Sequence, residues 1–451
     1  MLWPQTTERD AAGALSIGGV SLQSLAAKFG TPLYLFDEST LRSRARRYVA
    51  SMRAAYANSQ VVYAAKAYLS PAIARLLHEE GLGPDVVSGG ELYAGLVAGI
   101  PAAAMTFHGS NKSEAELREA LAAGVGLIAI DNDWELTLLE RITMETGATI
   151  PVLLRLNPGV DAHTHAKIRT GNLDSKFGFP IATGDAARGV ARIRTIRGLM
   201  LRGYHAHIGS QLFDIETYLL GLERILAFAA EMRDRHGVSP HIISPGGGFG
   251  IAYEEGDTEV DVESWSRALG DAMRNGCQEY RLDAPQLVIE PGRSIVGPAG
   301  VALYRVGAIK EIAGVRCYVS VDGGMADNIR PALYGARYAA AIASRDGGSP
   351  RATVTIAGKY CESGDLLIED IELPPLRTDD LLAIPAAGAY CLAMASNYNL
   401  TPRPAVVMVN SGKATLLRRR ETYQDLLRAD VRPSDLDPAK LRAPDRELHP
   451  N

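Results

Sequence analysis

Only four cysteines occur in the 451 residues, Cys277, Cys317, Cys361 and Cys391, and none is spaced as CxxC or as a zinc site. That excludes a disulfide framework and a thiolate metal centre, and it leads to the expectation of a reducing, cytoplasmic setting. No apolar run reaches about 18 uninterrupted residues, so no membrane-spanning helix is expected. Basic runs are absent apart from Arg418-Arg419-Arg420, and the formal net charge is −5. Neither nucleic acid nor a membrane surface is therefore expected as a partner. Met1-Leu2-Trp3-Pro4-Gln5 lacks the basic-then-apolar order of an export signal. What remains is globular in balance, 47% hydrophobic and 22% charged. The length allows two or three domains and a large core.

Short apolar runs alternate with helix-like segments over residues 37–297. The runs are Val61–Ala65, Pro84–Val87, Met105–Phe107, Leu127–Ile130, Val152–Leu156, Leu199–Tyr204, His241–Ile243 and Leu287–Ile289. Between them lie segments of 3.6-residue periodicity such as Glu91–Ala98 and Glu114–Ala123. Eight such units predict a (β/α)8 barrel, with a doubly wound open sheet as the competing arrangement. The ends of the runs favour closure. Each stops in polar or glycine residues, among them Lys66, Ser88-Gly89-Gly90, His108, Asp131, Asn157, His207, Gly246 and Glu290. A barrel gathers all eight C-terminal ends at one mouth.

Beyond about residue 300 the runs Val301–Val306, Arg316–Val321, Ala352–Ile356, Leu381–Ile384 and Ala405–Val409 are β-branched and separated by turns. They predict an all-β domain over 298–428. Gly18-Gly19-Val20 and Pro32–Phe36 read as strands too, so residues 1–36 are expected to join that domain with the barrel inserted between. Residues 429–451 read as a loose tail.

Several residues could carry chemistry. Lys66 ends the first apolar run, and a lysine withdrawn from water at a strand terminus is a nucleophile toward carbonyls. This is how pyridoxal phosphate is held in its enzymes, although a solvated strand-end lysine gives the same local sequence. Gly246-Gly247-Gly248-Phe249-Gly250 follows the seventh run, where barrels place their phosphate sites and bare backbone N–H groups suit an anion. A tight ligand-free loop would look the same. In Glu290-Pro291-Gly292-Arg293 a carboxylate could pair with a pyridinium nitrogen, and an arginine could bind a carboxylate bidentately. A salt-bridged turn is the other reading.

His205 and His207 flank Ala206, and the two rings are expected to part, with His207 nearer the mouth and able to stack on a flat ring. No metal is expected, because no third ligand lies at useful spacing in the sequence. His163 and His165 fall in the polar stretch Asp161–Lys176, read as a lid. Cys361-Glu362-Ser363-Gly364-Asp365 is not the setting of an activated thiolate. A protonated thiol there could donate a proton, and an inert cysteine is the alternative. Asp322–Tyr334 is a turn-rich cluster in which Arg330 offers a second carboxylate clamp, unless the whole is a solvated loop.

Taken together, over residues 30–428 this motif set resembles that of the meso-diaminopimelate decarboxylases, pyridoxal phosphate enzymes with an alanine-racemase-like barrel and a β domain. The resemblance implies that Lys66 holds the cofactor as a Schiff base and that His207 stacks on its ring. Ser210 and Gly246-Gly247-Gly248 would hold the phosphate. Glu290 would face the pyridine nitrogen, with Gly292 and Arg293 beside the cofactor. Arg293, Arg330 and Tyr334 would bind substrate, Glu362 would read the distal amino group, Cys361 would donate the proton, and Tyr390 would touch both cofactor and substrate. A homodimer is implied, in which the Cys361 segment completes the partner's site. Three positions depart from the family pattern, Tyr68, Ser244-Pro245 and Val406, and none is expected to touch a reactive residue.

The distal end of diaminopimelate carries one carboxylate and one ammonium, which two arginines and Glu362 complement in charge. Ornithine or lysine would leave the extra arginine without a use. The remaining rivals are a decarboxylase of ornithine, arginine or a carboxy-polyamine, a racemase, and a non-catalytic homologue. A racemase favours arginine at the pyridine nitrogen, which Glu290 opposes. The reactive lysine and cysteine are both present, which opposes the last.

Overall fold

The computed structural model describes residues 2–160, 175–349 and 351–431. Eight parallel strands close on themselves: Ser59–Ala64, Gly83–Val86, Thr106–Phe107, Leu127–Ile130, Ile150–Asn157, Leu199–His205, Ile242–Gly246 and Gln286–Ile289. The ring closes where the eighth strand pairs with the first, Ile289 opposite Val61. The fourth and fifth strands, Ile128 opposite Val152, complete the circuit. An open sheet would have left two free edges. The strands read as continuous apolar runs because barrel strands are covered on both faces.

Helices cross back over the outside. Many start on a side chain just past a strand end. Ser88 caps Gly89–Val97, Ser113 caps Glu114–Ala123, Asn132 caps Asp133–Thr146 and Asp214 caps Ile215–His236. Each cap oxygen accepts an otherwise orphaned helix N–H. Some of the polar strand ends are therefore helix starts rather than reactive groups. Asn157 is likewise structural in part, its side chain accepting from the N–H of Gly159 at 2.9 Å.

The second domain is a mostly antiparallel sheet around the long strand Gly300–Ile312. That strand pairs with Leu33–Asp37 from the N-terminal segment, Gly300 opposite Phe36, and with Leu381–Ile384. Leu33–Asp37 also pairs with Ala405–Asn410. Three strands of this domain escaped the sequence reading, Ala341–Ile342, Leu366–Leu373 and Lys413–Arg418. The first is only two residues long, and the other two lie at the two edges of the sheet and mix charged residues with short apolar stretches, so no long apolar run marks them. Gly18-Gly19 is not strand. With φ of +60° and +74° it forms the two-residue turn joining Leu15–Ile17 to Val20–Ser21 in a small separate sheet. Among the described residues no helix is long and apolar enough to cross a membrane.

Candidate active site

A cavity of about 590 Å³ opens at the C-terminal ends of the barrel strands. That is a size suited to a small organic ligand. Lys66, Asp85, His108, Arg155, His205, His207 and Glu290 line it. A narrow recess beside it shares Lys66, His207 and Glu290 and adds Ser210, Gly247, Gly248, Gly292, Arg293 and Tyr390. Lys66 is not a strand residue. It sits in the single 3-10 turn Ala65–Ala67 that follows the first strand. The backbone N–H of Tyr390, from the β domain, donates to the carbonyl of Ala67 at 2.7 Å and ties this turn across the domain boundary.

Glu290 forms the floor. Its Oε2 lies 3.0 Å from His205 Nε2, and its Oε1 accepts from the Ser244 hydroxyl at 2.8 Å. His108 Nε2 stands 3.6 Å from Oε1 and 3.8 Å from Asp85 Oδ1. Burial alone would raise the Glu290 carboxyl. The adjoining His205 and the hydrogen bonds from His205 and Ser244 outweigh it and hold the group well below the usual carboxylate range. Asp85 goes the other way, pushed well up by burial and by the charge of Glu290. Burial likewise drives His108 well below the ordinary imidazole range, so it is neutral. Two carboxyls with opposed protonation states thus share one cavity.

The sequence-based reason for excluding a metal does not survive. His108, His205 and Glu290, from the third, sixth and eighth strands, are all buried and present ligand atoms within 4.8 Å of one another. Barrel closure supplies the third group that sequence spacing hid. The expected parting of His205 and His207 also fails. The strand ends at His205, so alternation does not govern His207, and both rings line the cavity. His207 Nδ1 accepts from the N–H of Gly247 at 3.4 Å. Burial and the nearby Lys66 charge keep the His207 ring well below its ordinary pKa.

The glycine turn is forced by close backbone approach. A Cβ on Gly247 would fall 2.1 Å from the carbonyl oxygen of Glu290, and one on Gly248 2.3 Å from that of Gly209. Opposite it, Arg293 Nη2 donates to Ser210 Oγ at 2.9 Å and Nη1 to Tyr253 Oη at 2.6 Å. The Arg293 guanidinium also lies over the Tyr390 ring, 4.7 Å from its centroid. Arg330 is buried and stands over Tyr253 at 4.6 Å, with a hydrogen bond to Tyr338.

Five of the expected site residues line neither the cavity nor the recess of their own chain: Gly246, the buried last residue of the seventh strand, and Arg330, Tyr334, Cys361 and Glu362. Arg330 is one tyrosine removed from Arg293. Tyr334 is 63% exposed on the short helix Arg330–Tyr334. Cys361 and Glu362 are exposed in the loop before Leu366–Leu373. There the N–H of Cys361 donates to Asn399 Oδ1 at 3.0 Å and its carbonyl accepts from Tyr398 at 3.2 Å. His163, His165 and most of the expected lid, Asp161–Lys176, lie outside the described residues.

The sequence reading gave no role to Asp85, His108, Arg155, Ser244 or Tyr253. An acid or arginine inside a buried apolar strand was a usable signal for Asp85 and Arg155. Arg155 pairs with Asp131 at 3.0 Å and lies over Phe177. Ser244 contradicts the expectation that the departures touch nothing reactive, since its hydroxyl bonds Glu290 directly.

Residues 41–297 match the pyridoxal-binding domain of pyridoxal-dependent decarboxylases. The chain is 48% identical over 426 residues to a diaminopimelate decarboxylase of Bacillus subtilis, covering 94% of this chain and 97% of that one. It is 42% identical over 440 residues to one from Mycobacterium tuberculosis, covering 96% and 98%. A crystal structure of diaminopimelate decarboxylase from M. jannaschii in complex with L-lysine superposes with a TM-score of 0.89 at 35% identity, covering 96% and 99%.

Proposed function

This chain belongs to the diaminopimelate decarboxylases within the pyridoxal-dependent decarboxylase family, and from that premise we propose how its own residues act. The protein is a carboxy-lyase that releases CO2 from meso-2,6-diaminopimelate and leaves L-lysine. The observation that carries this reading is the convergence of Lys66, Gly247 and Gly248 of the glycine turn, and an ionised Glu290 on one recess.

The residues present fit pyridoxal phosphate. Lys66 offers an amine to the aldehyde. The glycine turn, Ser210 and Arg293 offer donors to a phosphate in the narrow recess. Glu290 offers a fixed anion to the ring nitrogen, and His207 a neutral flat ring for stacking. When bound, the cofactor supplies an electron sink for the pair released as the bond to the carboxylate breaks.

Everything else falls to the chain. Lys66 would hold the cofactor through its amine. Glu290, held ionised, would favour a proton on the cofactor's ring nitrogen. Arg293 lies on the phosphate side of the site, and Arg330 behind it supplies positive charge for substrate carboxylates. Glu362 reads the distal ammonium and Cys361 returns the proton. Since both are exposed and outside the cavity of their own chain, we assign them to the site of a second copy, so that the working unit is a homodimer. Tyr390, which lines the recess, completes the substrate wall. The scarcity of cysteine supports a cytoplasmic enzyme.

The test is CO2 release from meso-diaminopimelate, ornithine, arginine and a carboxy-polyamine by the holoenzyme. A strong preference for meso-diaminopimelate is expected, and preference for ornithine overturns the assignment.

A further inference from the structure

We propose that Ser244 is a positioning residue that joins the phosphate-gripping turn and the ring-facing carboxylate into one rigid unit. The inference rests on the reading of Glu290 as the group opposite the cofactor ring. Ser244 is fully buried on the seventh barrel strand. Its hydroxyl has two neighbours with opposite demands. The backbone N–H of Gly246 lies 3.2 Å from its oxygen, which therefore accepts. Glu290 Oε1 lies 2.8 Å away and, being ionised, has no proton to give. The hydroxyl hydrogen must then point to Glu290. A single side chain thus reads the first glycine of the turn on one side and the carboxylate on the other.

The backbone repeats the linkage. The N–H of Glu290 donates to the carbonyl of Gly246 at 3.0 Å, and the hydroxyl of Tyr218 donates to that same carbonyl at 2.6 Å. The other carboxylate oxygen of Glu290 is taken by His205 Nε2 at 3.0 Å, which must carry the proton of that hydrogen bond. With one donor on each oxygen the carboxylate cannot swing, and each oxygen keeps a lone pair for the ring nitrogen. The two ends of one rigid cofactor, phosphate and ring nitrogen, then meet partners whose separation Ser244 helps to set. Such preorganisation lowers the ordering cost of binding.

The test compares Ser244→Ala, Glu290→Gln and the double variant. Each is read by titration of the apoprotein with pyridoxal phosphate and by the pH dependence of the visible absorbance of the loaded enzyme. Ser244→Ala is expected to weaken cofactor binding by roughly ten- to a hundred-fold, the equivalent of one hydrogen bond to a charged group. Its absorbance profile should shift in the same direction as that of Glu290→Gln, and its effect should shrink in the Glu290→Gln background. Wild-type affinity and profile in Ser244→Ala overturn the proposal, as does full additivity of the two substitutions. If Glu290→Gln itself changes neither readout, the assignment of Glu290 is what fails, and the proposal goes with it. Should Ser244→Ala not fold, Ser244→Cys, a weaker donor of similar shape, carries the same test. An intermediate shift is expected there, and wild-type values overturn the proposal.

Discussion

The guanidinium of Arg330 sits over the ring of Tyr253, 4.6 Å from its centroid, while the hydroxyl of that tyrosine accepts from Arg293 at 2.6 Å. One buried ring therefore spaces Arg293, on the phosphate side, from Arg330, assigned to substrate carboxylates. Tyr253 follows the glycine turn of the barrel, and its carbonyl accepts from the N–H of Ala339 in the β domain at 2.9 Å. Tyr253→Phe keeps the ring and loses the acceptor. A hydrogen bond from a charged donor contributes about 1.5–3 kcal/mol, so KM for meso-diaminopimelate should rise about tenfold or more with a smaller change in kcat. Tyr253→Ala also removes the cation–π contact and should raise KM further. Steady-state kinetics decide, and a wild-type KM in Tyr253→Phe would refute the spacing role.

The cavity should impose an unusual pH dependence on the apoprotein. Asp85 is held protonated by burial and by the neighbouring Glu290 charge. Its ordinary pKa is about 3.9, so above about pH 4 the unfolded chain releases a proton that the folded chain keeps. This contribution falls as pH rises. Asp85→Asn should therefore raise the apoprotein Tm at pH 7, with the gain shrinking toward pH 4. His108 and His207 act oppositely, since both are held neutral and an unfolded imidazole protonates near pH 6.5. Their contribution is present above that pH and lost below it, so His108→Asn should flatten the decline in Tm between about pH 7 and pH 5. Thermal unfolding across pH tests both arms. A lower Tm for Asp85→Asn at neutral pH contradicts the first.

Lys66→Ala should abolish turnover by several orders of magnitude while leaving the phosphate recess in place. Pyridoxal phosphate should still bind, more weakly, and should wash out after borohydride treatment, whereas the wild-type chain should retain it covalently. Mass spectrometry of the treated proteins reads this directly. A reduced cofactor adduct on the alanine variant would move the anchor to another lysine, of which Lys112 is already committed to a buried pair with Glu135 at 2.8 Å.

Much of this architecture is legible in the sequence because parallel barrel strands, buried on both faces, print as apolar runs such as Val61–Ala65. The triple glycine and Glu290 are legible because they end such runs. Asp85, Ser244 and Tyr253 are not, since their roles depend on which strands become neighbours. His108, His205 and Glu290 are far apart in sequence and meet only when the ring closes. Ser88 and Asn132 show the converse, strand-end residues of reactive type whose oxygens are taken by helix N–H groups. Cys361 and Glu362 carry a third kind of limit. Their neighbours in the fold, Asn399 and Tyr398, can be read from one chain, whereas a complement in a second copy leaves no trace in one chain's spacing.

That last point sets a decisive experiment. Cys361 and Glu362 are exposed, and Tyr334 and Leu400 on the same domain are each 63% exposed. Large apolar groups left in water are the mark of a surface that another protein covers when they form one patch. If a second copy covers this one, each site draws Lys66 from one subunit and Cys361 from the other. Lys66→Ala and Cys361→Ala should each be inactive alone. After mixing under conditions that let subunits exchange, CO2 release should return, because a mixed dimer contains one site with both wild-type residues. Sites built within single chains would leave every subunit lacking one of the two groups, and mixing would recover nothing. Activity measured before and after exchange, with the oligomeric state followed by light scattering, separates the two arrangements.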